Sequence, residues 1–126
     1  MNIVDSSGWL EYLGGGPNAA FFEPPLLDAA NLLVPSITIL EVFKRLHQQR
    51  GEADALRGAA RMVHGKVVDL GPDLAIAAAR IGLDLKLSLA DSVILAAARA
   101  HKAVLWTQDA HFKGLPDVRF VEKRTT

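Results

Sequence analysis

Hydrophobic positions along the chain alternate between short continuous runs and longer stretches with helical spacing. Asn2-Ile3-Val4 is an apolar run that ends at Asp5 and predicts a short buried strand. Ser6-Ser7 then supplies capping residues for a helix from Gly8 to about Leu13, with Trp9, Leu10 and Leu13 on one side. Gly14-Gly15-Gly16-Pro17 stops it. Phe21-Phe22 and Pro24-Pro25 fall in a short helix running to about Asn31. Leu32-Leu33-Val34 predicts a second strand, ended by Pro35. Ile39, Val42, Phe43 and Leu46 recur at i, i+3, i+4 and i+7, so a helix starts near Ser36 or Thr38.

A more polar helix follows from about Glu52 to Val63, ended by Gly65. Lys66 to Leu70 predicts the third strand. Pro72 suits the first position of a helix that runs to about Leu83, with Leu74, Ala77, Ala78 and Ile81 on its core face. From Ser88 to about His101 the pattern is apolar on nearly every face, which marks a buried helix. Ala103 to Trp106 predicts a fourth strand, and Asp117 to Val121 a fifth at an edge. Lys123 to Thr126 reads as a frayed tail. Strands alternating with helices imply parallel strands joined by right-handed crossovers. The expected fold is an α/β three-layer sandwich, one domain over residues 1–126.

Composition narrows the picture. Half of the residues are hydrophobic, which argues against disorder. The chain has no cysteine, so disulfides and thiolate metal sites are excluded, in keeping with a reducing cytoplasm. Met1 to Asp5 lacks the basic flank and long apolar run of a secretion signal, and no apolar stretch is long enough to cross a bilayer. Net charge is zero, so nucleic-acid binding would rest on local basic patches or on metal. The three consecutive glycines are not followed by Lys-Ser/Thr, so they form a loop and not a phosphate-binding turn.

Four acids bear on chemistry. In an open parallel sheet, sites form outside the carboxyl ends of the strands. Asp5 follows strand one and Asp109 follows strand four, while Glu41 and Asp91 lie in the first turns of helices. Each also has a capping explanation: Thr38 with Glu41 and Ser88 with Asp91 have capping-box spacing, and a negative charge suits a helix N-terminus. Capping does not account for four carboxylates at one edge, where mutual repulsion calls for a cation. Carboxylate oxygens suit Mg²⁺ or Mn²⁺.

Val4-Asp5-Ser6-Ser7, Leu40-Glu41-Val42, Leu89-Ala90-Asp91-Ser92-Val93 and Trp106-Thr107-Gln108-Asp109-Ala110-His111-Phe112 resemble the motifs of PIN-domain nucleases, most of all the VapC type of toxin–antitoxin pairs. The resemblance spans about Asn2 to Val121. It implies a five-stranded parallel sheet in the order 3-2-1-4-5, which would bring Asp5 and Asp109 together. It implies an endoribonuclease that uses one or two Mg²⁺ or Mn²⁺ ions to activate water, often as a homodimer silenced by an antitoxin. By the same resemblance Asp5, Glu41, Asp91 and Asp109 are the metal ligands, and Thr107, with Ser6, would orient the carboxylates.

Lys44, Arg45 and Lys113 are candidate RNA contacts, against the simpler reading of solvated surface charges. His47, His64, His101 and His111 show no paired ligand spacing, and His111 reads as an exposed histidine near Asp109. Trp9, Phe43 and Trp106 read as core or dimer contacts. A receiver-type phosphoacceptor module is the alternative, with Asp69 after strand three as acceptor. It lacks adjacent acids after strand one, where Asp5 is followed by Ser6-Ser7, and gives no role to Glu41 or Asp91. A catalytically idle PIN-like interaction domain is the third reading, and the complete acidic set counts against it.

Overall fold

A computed structural model describes residues 1–125. The strands are β1 (Asn2–Val4), β2 (Leu32–Pro35), β3 (Lys66–Val68), β4 (Val104–Thr107) and β5 (Val118–Phe120). The helices are α1 (Ser6–Leu13), α2 (Ala19–Leu27), α3 (Ser36–Arg50), α4 (Glu52–Met62), α5 (Pro72–Leu85) and α6 (Leu89–Ala100). Two short 3-10 turns occupy Ala29–Asn31 and Ala110–Phe112. The five strands pair in parallel in the order β3-β2-β1-β4-β5, as the motif resemblance implied.

Successive strand residues point to opposite faces, and the core divides accordingly. Val4, Leu32 and Val34 face one layer, where they pack with Trp9, Phe22, Val42, Leu46, Ala55 and Met62 from α1 to α4. Ile3, Leu33 and Leu105 face the other, where they meet Ile94, Leu95, Ala97 and Ala98 of α6. Each large apolar side chain buried in this way contributes roughly 1.5–3 kcal/mol. Within α6, every residue from Ser92 to Ala98 is buried. Its partner α5 crosses so closely that a Cβ at Gly82 would lie 2.6 Å from Ser92 Oγ.

Several boundaries differ from the sequence expectation. The first helix begins at Ser6 and is capped by Asp5, whose Oδ1 accepts the Gly8 N–H at 3.0 Å. Ser6 and Ser7 lie inside it, with their hydroxyls donating to the Glu41 and Asp5 carboxylates. Pro35 does not end β2 early. It pairs in register with Val68 of the edge strand β3, and α3 starts directly after it. The helix after Pro17 ends at Leu27, and a 3-10 turn covers Ala29–Asn31. β3 stops at Val68, leaving Asp69 and Leu70 exposed. Of the expected tail, Thr126 lies outside the described residues. Among the described residues, no helix is long and apolar enough to cross a membrane.

Gly8 sets how closely α1 seats on the sheet. A Cβ there would lie 2.5 Å from Val4 Cγ1 and 2.6 Å from Phe22 Cε1. Only glycine permits this approach, and it brings Asp5, Ser6 and Ser7 to the carboxyl edge of the sheet.

Candidate active site

Asp5 is the buried member of the site, with 3% of its surface exposed. Both carboxylate oxygens accept hydrogen bonds. Oδ1 accepts from Ser7 Oγ at 2.8 Å and from the Gly8 N–H at 3.0 Å, while Oδ2 accepts from Thr107 Oγ1 at 2.7 Å. Burial disfavours the ionised form and pushes the carboxyl up to about 6. The three hydrogen bonds oppose that shift, and the charge of Asp109 adds to it.

The β1–β4 pairing places Val4 opposite Trp106, so the residues that follow each strand are neighbours. Thr107 joins them. Its hydroxyl donates to Asp5 and accepts the Asp109 N–H at 2.8 Å. Asp109 caps the 3-10 turn Ala110–Phe112, its Oδ1 accepting the His111 N–H at 2.9 Å.

Asp91 arrives from the start of α6. Ser88 caps that helix by accepting the Asp91 N–H at 3.3 Å. The Asp91 carboxylate lies against the 3-10 turn, with Oδ2 3.3 Å from His111 Nδ1. Desolvation and the nearby Asp109 charge raise its carboxyl above the usual range, while His111 and Ser88 oppose the rise. Asp91, Asp109 and His111 each offer a ligand atom, and these atoms lie within 4.8 Å of one another.

Glu41 sits in the second turn of α3, one turn further than the sequence suggested, because the helix begins at Ser36. Its Oε1 accepts from Ser6 Oγ at 2.5 Å, so α1 and α3 are tied across the edge. It is not one of the three residues with donor atoms close together. A groove of about 510 Å³ connects it to the start of α6, lined by Glu41, Lys44, Arg45, Ser88, Leu89 and Ala90 among others. Arg45 also borders a second groove of about 280 Å³, which reaches Ser7, Gln108 and Lys123. Lys113 is directed elsewhere: it pairs with Glu122 at 3.0 Å and lies over the Phe120 ring.

No lysine or arginine forms an ion pair with Asp5, Glu41, Asp91 or Asp109 among the described residues. Hard carboxylate oxygens concentrated without a cationic partner are a donor set suited to a small divalent cation. Asp69 lies past the end of β3, two strands from β1 in the sheet order, and so is separated from this group. An apolar groove of about 490 Å³ between α5 and α6 is lined by no ionisable side chain.

The sequence reading missed the contact of His111. The ring is exposed, as expected, but its Nδ1 lies 3.3 Å from Asp91 and 3.2 Å from Asp109. The spacing of Asp109 and His111 was visible, and the approach of α6 was not. It also missed Asn18, a buried side chain that donates to Gln108 Oε1 and to the Glu122 carbonyl, each at 2.9 Å. This bond ties the loop before α2 to the segment that follows Thr107.

The chain belongs to the PIN domain family, whose sequence model matches residues 3–118. Its fold is similar to a protein in a toxin–antitoxin complex from Klebsiella pneumoniae, with a TM-score of 0.80, 22% identity, and 94% of this chain and 96% of that one covered. It is similar to a chain of DNA-bound VapBC from Salmonella typhimurium, with a TM-score of 0.76, 18% identity, and 97% and 98% covered. It is also similar to VapC20 of Mycobacterium tuberculosis, a toxin that cleaves the sarcin–ricin loop, with a TM-score of 0.69, 16% identity, and 82% and 85% covered. No curated protein sequence matches the chain.

Proposed function

We propose that this chain is a divalent-metal-dependent endoribonuclease and the toxin of a toxin–antitoxin pair. It acts in the cytoplasm, as a homodimer restrained by its antitoxin. The observation that carries the reading is the convergence of Asp91 and Asp109 on one point beside the buried Asp5, with no lysine or arginine paired to them among the described residues. Family membership and the RNA-cleaving and antitoxin-bound structural neighbours support it.

In this reading Asp5, Asp91, Asp109 and Glu41 hold one or two Mg²⁺ or Mn²⁺ ions. When bound, such an ion screens the carboxylates and supplies Lewis-acid activation for water attack at phosphorus. Thr107 holds the Asp5 carboxylate and the Asp109 backbone in one register, and the His111 N–H holds one oxygen of the Asp109 carboxylate. Ser6 does the same for Glu41. Ser7 and the Gly8 N–H fix the remaining oxygen of Asp5. Lys44 and Arg45, in the groove beside Glu41, take the phosphates on either side of the scissile bond, and Lys113 adds a contact when Glu122 releases it. Hydrolysis adds one water across a P–O bond, and no histidine is needed as base.

The test is RNA cleavage by the purified chain with Mg²⁺ or Mn²⁺ and with excess chelator. Cleavage is expected only with metal. Cleavage of equal rate in chelator would remove the metal mechanism, and no cleavage of any RNA under either condition would remove the nuclease reading.

A further inference from the structure

We propose that His111 is a nitrogen ligand of the divalent centre and biases that centre toward Mn²⁺ over Mg²⁺. The inference rests on the reading of the acidic site given under Proposed function. Its Nδ1 lies 3.3 Å from Asp91 Oδ2 and 3.2 Å from Asp109 Oδ1. The ring nitrogen thus sits between two carboxylate oxygens at nearly equal distance, and one ligand atom from each of the three residues lies within 4.8 Å of the others, a compact set of donors for one cation. Adjacent ligands of a six-coordinate ion with bonds of about 2.1 Å are separated by about 3 Å. The two separations at His111, 3.2 and 3.3 Å, are close to that edge length, and the donor atoms of Asp91 and Asp109 lie within 4.8 Å of each other.

Local structure sets the backbone that carries the ring. Asp109 caps the 3-10 turn, and its carboxylate accepts the His111 N–H at 2.9 Å. The two side chains are therefore held on one turn, two residues apart. Asp91 is brought to them by α6, whose first turn is fixed by the Ser88 cap and whose following residues are buried through Ala98. As a ligand, the ring carries its proton on Nε2 and offers the Nδ1 lone pair to the ion. Mg²⁺ strongly prefers oxygen donors, and Mn²⁺ accepts imidazole nitrogen more readily. An exposed histidine paired only with surface carboxylates would contribute little to stability and nothing to metal choice.

The experiment uses the full chain, stripped of metal, with Mn²⁺ and Mg²⁺ as probes. Pulsed EPR of the Mn²⁺-loaded protein reads nitrogen coupling at the ion. Calorimetry gives Kd for both ions in wild type, His111→Ala and Asp109→Asn. The expected result is nitrogen coupling in wild type that His111→Ala abolishes. Mn²⁺ affinity should fall about tenfold in that variant, and Mg²⁺ affinity by less than about twofold. Mn²⁺ binding in wild type without nitrogen coupling, or an unchanged Mn²⁺ Kd in His111→Ala, overturns the proposal and leaves the acidic site standing. Equal losses for both ions overturn the preference. Mn²⁺ binding that is absent, or indifferent to Asp109→Asn, removes the acidic site itself.

Discussion

Replacing Asp5 by Asn should make the metal-free protein less sensitive to pH. Burial lifts the Asp5 carboxyl from 3.8 to about 6. A gap of about two pH units between folded and unfolded chains corresponds to about 3 kcal/mol. The sign follows from which state ionises first. As pH rises, the unfolded chain loses the Asp5 proton near its ordinary value, while the folded chain retains it until about pH 6. Stability from this group is complete below the unfolded value and lost as pH rises through the folded one. About 2 kcal/mol of that loss falls between about pH 4.5 and about pH 7.5. Asn removes the titration and keeps the shape. Its Oδ1 can accept from Ser7 and Gly8, and its Nδ2 can donate to Thr107 Oγ1 if that hydroxyl turns. Any cost of that exchange is the same at both pH values, so the change in the difference isolates the charge. The assay is urea unfolding of both proteins in chelator at the two pH values. Asp5→Asn should gain about 2 kcal/mol on wild type between them. A difference that does not change with pH would refute the reasoning from burial.

Asp91→Asn relieves repulsion with Asp109, so without metal it should melt no lower than wild type, and Mn²⁺ should raise its melting temperature by less. A lower metal-free melt with an equal Mn²⁺ shift would make Asp91 a helix cap alone, worth roughly 0.3–1 kcal/mol. Thr107→Val removes the donor to Asp5 Oδ2 and the acceptor of the Asp109 N–H, so it should destabilise by about 1–3 kcal/mol in urea melts and lower cleavage. Asp69→Asn should leave cleavage nearly intact. Phosphorylation by a small phosphodonor, lost in that variant, would favour the receiver reading instead.

The layered α/β fold was legible because its signals are local. Ile3 and Val4 are buried on opposite faces of β1, and α6 reads as a buried helix from its apolar run alone. Strand order was not in that pattern: three- and four-residue strands carry no pairing code, and the order came from the motif resemblance. Asp5, Ser6 and Ser7 are three adjacent residues each able to cap a helix, and which one does so depends on how β1 leaves the sheet. Proline marks the end of β2 in the sequence, but Pro35 is still the strand's last paired residue, opposite Val68, so the boundary falls one residue later than the apolar run. Glu41 and Asp91 had the spacing of capping boxes, and only tertiary structure shows one held by Ser6 and the other facing Asp109 and His111. The role of His111 depends on two elements meeting, which no local window contains.

The most direct measurement is single-turnover cleavage of an end-labelled RNA by wild type and Asp109→Asn across a range of Mn²⁺ concentrations. Among the described residues Asp109 forms no ion pair with a lysine or arginine, and it lies with Asp91 at the point where the donors converge. The account predicts that wild-type cleavage rises with Mn²⁺ and saturates. The variant should need more than about tenfold higher Mn²⁺, or reach a plateau lower by at least that factor. Identical metal dependence and identical plateaus in the two proteins would contradict it.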